Sequence, residues 1–378
     1  VTIRALFSSP RLAAAGLVLA GGLATPAAAQ EVVIGVPAAL TGQFAFAGVP
    51  NRNGMQIALE QVQASGELGP LKLKVLFEDT GSDKNQATTL ITRFSEYDKA
   101  ALILGPTSSV EAFAALPVAQ KNGTPVISGA SADVTPVGDW IFKATATPVT
   151  IMQALAQRAL ADLKPKKVAY VFNRDNDAYI AQKNGLRDAF VAAGVATVAE
   201  ETIVGSDSDF TALATKLASL DIDTLVISTT AELSANIIIQ AKQAGLSDKV
   251  RILGTPSMAS AQFLKVGGAA VEGTIFVADY FLGGENALNK AFVEAYTKKY
   301  NTPPDVFAAI GYTQFYEAVT ALKAAGATLD REAIRKGIFS IKDMPTILGD
   351  GKLTITEKRT PVYGGYVLTV KGGKLALL

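Results

Sequence analysis

The chain has 378 residues, with 35 Lys and Arg against 34 Asp and Glu and neither His nor Cys. At roughly 150 residues per domain the length favours two domains, and a composition of 49% hydrophobic and 18% charged residues can fill a packed core in each. A net charge of +1 lacks the basic footprint of a nucleic-acid binder, so no such partner is expected. Without His or Cys, zinc sites, thiol nucleophiles and Ser-His-Asp triads are ruled out, and neither a metal nor a cofactor is expected.

At the N-terminus, Arg4 and Arg11 precede an apolar stretch, 12–24, and then Pro26-Ala27-Ala28-Ala29. At about 13 residues the stretch is too short to span a bilayer but fits a secretory signal peptide, and Ala27-x-Ala29 fits its cleavage rule. Cleavage after Ala29 would leave a soluble exported protein that begins at Gln30. Removal of the two Arg gives a mature charge of 33 − 34 = −1. The lack of Cys rules out a lipid anchor and leaves the exported fold to its core, without disulfides.

Beyond Gln30, β-branched apolar runs alternate with patterns of 3.6-residue period. Residues 32–36, 71–78, 101–104 and 125–127 read as strands, and 53–64, 85–94 and 110–121 as the helices between them. The alternation resumes with strands at 167–172, 196–203, 223–228 and 250–253. Its helices are at 151–163, 181–193, 210–219 and 233–244. Runs such as Val168-Ala169-Tyr170-Val171-Phe172 are apolar on both faces, as strands covered on both sides must be. Two doubly wound parallel α/β units follow. From Gly273 the order is a strand at 274–277, helices at 287–300 and 306–324, and closing strands at 352–356, 366–370 and 375–378.

Three loops carry candidate recognition chemistry. The segment 39–48, with Thr41, Gly42, Phe44, Phe46, Ala47 and Gly48, follows the first strand. In such sheets ligands bind beyond the carboxyl ends of strands, although the two Phe serve equally as packing on their own unit. Gly105-Pro106-Thr107-Ser108-Ser109 follows the third strand and opens a helix. A helix start has free N–H groups for an anion, and capping needs only one of the two Ser. Ser128-Gly129-Ala130-Ser131-Ala132-Asp133 follows the fourth strand and lies beside it. Other candidates fail. Gly129 to Asp133 lacks the second Gly of a nucleophile elbow, Asn173 to Asp177 lacks the Gly and closing Glu of a calcium loop, and Glu78 and Asp79 point to opposite faces of a strand.

Together these features resemble the type I periplasmic binding proteins, specifically the branched-chain amino acid (Leu/Ile/Val-type) receptors of ABC importers. Residues 33–36 with Leu40-Thr41-Gly42, and Glu78-Asp79-Thr80-Gly81-Ser82-Asp83, carry the resemblance. So do Ile103 to Ser109, Trp140-Ile141-Phe142-Lys143 and Gly311-Tyr312. It implies two parallel-sheet lobes joined by three hinge crossovers, lobe one holding 30–147 and 280–348, lobe two 148–279 and 349–378. It also implies a periplasmic monomer that binds a small ligand and delivers it to an inner-membrane ABC permease, without enzymatic activity. Ser109, with Ser108 beside it as a further candidate, matches the serine that holds the ligand carboxylate. Ala130 and the position near Ala132 match the adjoining loop, where Ala132 departs from the usual Thr or Ser and Ser131 would substitute. Tyr179 matches the aromatic that covers the ligand from lobe two.

The departures concern the far end of the pocket. Ala47 and Thr230 stand where relatives carry larger side chains. Where amino-acid receptors place an acid for the ligand ammonium, this chain reads Thr255-Pro256-Ser257-Met258. An unpaired buried ammonium is costly, so an amino acid would need Asp133 or Asp177, whereas an aromatic or aliphatic acid would not. A sensory receptor of the same fold and a secreted hydrolase using a Ser-Lys or carboxylate pair are the competing functions.

Overall fold

The computed structural model describes residues 1–2 and 31–378, and the expected signal segment, with its cleavage site, lies outside the described residues. Among the described residues no helix is long and apolar enough to cross a membrane. Strands β1 (Glu31–Ala38), β2 (Lys72–Asp79), β3 (Leu102–Leu104), β4 (Val126–Ser128) and β5 (Ile141–Lys143) form an all-parallel sheet ordered β2-β1-β3-β4-β5. Helices α1 (Ala45–Ser65), α2 (Lys84–Thr92) and α3 (Ser109–Lys121) connect the first strands.

After β5 come α4 (Pro148–Arg158), β6 (Lys167–Asn173), α5 (Asp177–Ala192), β7 (Ala196–Ile203), α6 (Thr211–Ser219) and β8 (Thr224–Ser228). Next are α7 (Ala231–Gln243), β9 (Arg251–Gly254), α8 (Ala261–Gly267) and β10 (Ile275–Ala278). The chain then gives α9 (Ala287–Tyr300), α10 (Val306–Ala325) and α11 (Arg331–Phe339). It ends in β11 (Met344–Pro345), β12 (Lys352–Ile355), β13 (Pro361–Val362), β14 (Tyr366–Lys371) and β15 (Lys374–Leu377). The second sheet runs β15-β14-β10-β9-β8-β6-β7, parallel except for the antiparallel β14 and β15. Strands β11 to β13 make a small antiparallel sheet.

Both large sheets are covered on both faces, which is why their strands read as continuous apolar runs. One face of the first sheet packs Ile34, Val36 and Leu104 against Met55, Ala58 and Phe315, and its other face packs Ile103 and Val126 against Leu90, Ala112 and Leu116. In the second sheet Tyr170 and Val226 meet Leu155, Leu186 and Phe190, while Val171 and Ile227 meet Leu217, Ile238 and Phe263. Helices α9 and α10 pack on α1, beside the first sheet. Where α1 and α10 cross, a Cβ at Gly54 would lie 1.9 Å from the Ala308 carbonyl oxygen, and one at Gly311 1.9 Å from that of Asn51. Only glycine lets these two backbones touch.

The topology fixes where crevices open. In each sheet the strand order reverses beside its first strand, between β1 and β3 and between β6 and β8. At such a switch point the loops leave in opposite directions and open a crevice at the carboxyl ends.

Candidate functional site

The first crevice is built by the loops after β1, β3 and β4. Asp79, at the end of β2, holds the first of these. Its Oδ1 accepts from the N–H groups of Leu40 (2.9 Å), Thr41 (3.2 Å) and Gly81 (2.8 Å), and its Oδ2 from the Thr41 hydroxyl (2.7 Å). Burial pushes the Asp79 carboxyl up, but these hydrogen bonds outweigh it and hold it below the usual range. Beyond this clamp Phe46 is exposed and packs edge-on against Phe307 at 5.6 Å, whereas Ala47 is buried on α1.

The two serines after β3 divide their tasks. Ser108 caps α3, its Oγ accepting from the Glu111 N–H at 3.2 Å, which leaves Ser109 free of that duty. Ser109 Oγ lies 3.3 Å from Ser131 Oγ and accepts the Ala132 N–H at 3.1 Å. The expected loop residues Ser131 and Ala132 are thus gathered around Ser109 at the start of α3. In that first turn the N–H groups of Ser109 and Val110 have no acceptor within the helix. Ala130 is fully buried behind them, its N–H donating to Ser128 Oγ at 3.2 Å. The arrangement is two hydroxyls and a helix N-terminus, a set of donors suited to an anion.

The second crevice is built by the loops after β6, β8 and β9. Tyr179 is half-buried in the first turn of α5, and burial raises its phenol pKa. Its main-chain oxygen accepts the Ser228 hydroxyl at 2.8 Å, which ties the α5 start to β8. Thr230 is exposed and caps α7 through Leu233 N–H at 3.4 Å. Thr255 is buried with its Oγ1 2.9 Å from Ser257 Oγ, and Ser257 donates to the Thr229 carbonyl at 2.5 Å; Pro256 is half-buried between them. These polar groups satisfy one another and present no carboxylate.

Among the described residues no hydrogen bond joins the Ser109 group to the Tyr179 group. The connecting segments that leave β5, β10 and β13 do meet. The Tyr363 hydroxyl donates to Asp279, just beyond β10, at 2.5 Å and accepts the Ala146 N–H, just beyond β5, at 2.9 Å. Asp133 is exposed and bonds its own turn, its Oδ1 accepting from Thr135 N–H (3.1 Å) and hydroxyl (2.7 Å). Sequence reasoning missed Lys143, which ends β5 fully buried and donates to the carbonyls of Ala130 and, at 2.8 Å, Ala132. A lone lysine closing an apolar strand was the available signal.

A sequence profile described as "Periplasmic binding protein" matches residues 31–374. The Leu/Ile/Val-binding protein homolog 3 of Brucella melitensis is 26% identical over 340 residues, covering 88% of this chain and 89% of that one. Among solved structures, the branched-chain amino acid transporter substrate-binding protein of Streptococcus pneumoniae, in complex with isoleucine, is similar with a TM-score of 0.75 and 26% identity. The match covers 92% of this chain and 98% of that one. A Rhodopseudomonas palustris solute-binding protein in complex with benzoate shares the fold, with a TM-score of 0.73 and 24% identity over 93% of this chain and 95% of that one.

Proposed function

Because this chain belongs to the periplasmic binding protein family and is of the branched-chain amino acid ABC transporter type, we propose that it traps a small organic acid between its lobes and hands it to an inner-membrane permease. The carrying observation is the convergence of Ser109, Ser131 and Ala132 at the N-terminus of α3. The carboxylate would lie there, and Tyr179 would cover the apolar body from the second lobe. The hydrogen-bonded, acid-free loop 255–257 favours a ligand without an ammonium, such as an aromatic or aliphatic acid. The exposed Asp133 and Asp177 keep an amino acid as the second reading, and the isoleucine-bound relative supports it. Processing after Ala29 and a monomeric state belong to the same proposal.

The lobes of this proposal follow the sheets. Residues 31–143 with α9 to α11 form the first, and 148–278 with β14 and β15 the second. We take the last crossover to lie at 363–365, beyond the sequence-derived boundary at 348. Arg359, next to β13, supports this: its main-chain carbonyl accepts the main-chain N–H of Lys143 at 3.0 Å and its guanidinium donates to the Ile141 carbonyl at 3.2 Å, both on the first sheet.

A thermal-shift panel of leucine, valine, benzoate and hexanoate, each beside its primary amide, tests the ligand class. A true ligand at 100-fold over its Kd adds about 2.7 kcal/mol. At least one acid is expected to stabilise the protein while its amide does not, and equal shifts from both would refute the carboxylate. Solution scattering tests the trap: the acid that binds is expected to reduce the radius of gyration, and an unchanged value at saturation would argue against closure.

A further inference from the structure

Lys143 ends β5, where the chain leaves the first sheet for α4, and its side chain reaches the 130–132 loop. Its ammonium donates to the carbonyls of Ala130, Ser131 (3.4 Å) and Ala132 (2.8 Å), with none of the residue exposed. Three successive carbonyls turned to one cation hold the loop in a single shape. In that shape the Ala132 N–H donates to Ser109 Oγ. An oxygen that accepts from Ala132 must aim its own hydrogen elsewhere, towards Ser131 or a ligand. Asp279, the acceptor of the Tyr363 hydroxyl that bridges to Ala146, is near enough to act on Lys143 through its charge, without an ion pair between them.

Building on the carboxylate reading above, we propose that Lys143 is a positioning residue. It fixes the 130–132 loop so that Ser109 points its hydroxyl at the ligand anion, sets a positive charge behind that anion, and ties the loop to the end of β5, where the first crossover begins.

The charge state of Lys143 gives this role a signature. Burial lowers its pKa to about 8, with Asp133 and Asp279 pulling the other way. Two more ionisable groups follow beyond Asp279: Tyr363, bonded to Asp279 and pushed well up by burial and that carboxylate, and Glu317 of α10, also pushed well up by burial. The Arg359 guanidinium turns away, to Asp139 at 3.2 Å and the Thr135 carbonyl at 2.9 Å. A bound anion favours the ammonium, so binding near pH 8 and above takes up a proton. For stability the sign is opposite. A lysine whose folded pKa is lowered costs stability in full below about pH 8, and the cost fades as pH rises towards the unfolded value. Weaker acid binding above pH 8 therefore does not come from loss of fold at this residue.

The test begins without ligand. In backbone NMR from about pH 6.5 to 10, the amides of residues 130–132 are expected to titrate with a midpoint near 8 in the wild type and to stay flat in Lys143→Arg, whose charge does not change. Calorimetry at pH 8 then uses benzoate and leucine as probes, in two buffers of different ionisation enthalpy. Whichever binds is expected to take up a proton in the wild type and none in Lys143→Arg. Lys143→Met is expected to weaken it about tenfold while the matching amide is unaffected; the wild-type and Arg comparisons stand alone if the Met variant does not fold. Loop amides that do not titrate, or titrate equally in Lys143→Arg, would overturn the positioning role. Proton-neutral binding would overturn the charge at the anion site. If neither probe binds, the carboxylate reading loses its support, while the loop titration still decides the hold of Lys143 on residues 130–132.

Discussion

Ser109→Ala is expected to weaken acid ligands by about 10- to 150-fold. A hydrogen bond from a hydroxyl to a carboxylate contributes about 1.5–3 kcal/mol, and each 1.4 kcal/mol is about a factor of ten in Kd. The fold is expected to survive, because the cap of α3 is the neighbouring Ser108 through Glu111 N–H. The substitution also releases the Ala132 N–H, which loses its acceptor on Ser109. That N–H could then donate to the ligand directly and recover part of the loss, so the lower end of the range applies if the loop holds its shape. Calorimetry on the acid and its amide reads the effect. Amide binding is expected to change little, since a neutral group gains less from the same donors.

Tyr179→Ala is expected to cost a comparable 1.5–3 kcal/mol or so, the range for burying a large side chain, but on acid and amide alike. The ring would cover the body of the ligand rather than its carboxylate. Truncation leaves the local frame in place, because the contact that ties this turn to β8 runs from Ser228 to the main-chain oxygen of Tyr179. The two variants thus differ in pattern more than in size. Ser109→Ala discriminates acid from amide and Tyr179→Ala does not. A Tyr179→Ala loss confined to acids would move the tyrosine to the carboxylate end and contradict the arrangement proposed here.

The sheet strands that matter for the sites were legible because burial on both faces leaves an unbroken apolar run, as in 168–172. The start of α1 was not. Its expected range opens at Asn53, whereas the helix begins at Ala45, before Pro50 and with Phe46 exposed. Those first two turns bury only Ala47, Gly48 and Asn51, small or polar residues that give no apolar period, and proline inside a helix argues against one. Strands β11 and β13 and helix α8 are too short for a period to emerge, whereas sequence reasoning missed α11 although Ile334, Gly337 and Ile338 bury one face of it. Strand β5 has three residues, and only its place beside β4 makes it a strand.

At the site, the pair of serines was readable as a cap plus a spare hydroxyl, and the structure assigns those tasks to Ser108 and Ser109 respectively. What the sequence could not convey is long-range. Asp79 holds a turn 38 residues earlier in the chain, and Tyr363 bonds Ala146 across 217 residues. Both read locally as ordinary strand-end and loop residues. Sequence also left Phe44 and Phe46 open between pocket and packing and gave Ala47 to the pocket. The structure gives Phe46 a ring partner in Phe307 and buries Ala47 on α1.

The most direct measurement is a crystal structure of the protein with the tightest-binding acid from the panel. The lobes are expected to be closed around it, with a carboxylate oxygen about 2.6–3.0 Å from Ser109 Oγ, the α3 N-terminus facing the same group and the Tyr179 ring against the ligand body. A carboxylate turned away from Ser109, or a ligand bound on one lobe with the lobes still apart, would contradict the proposed site.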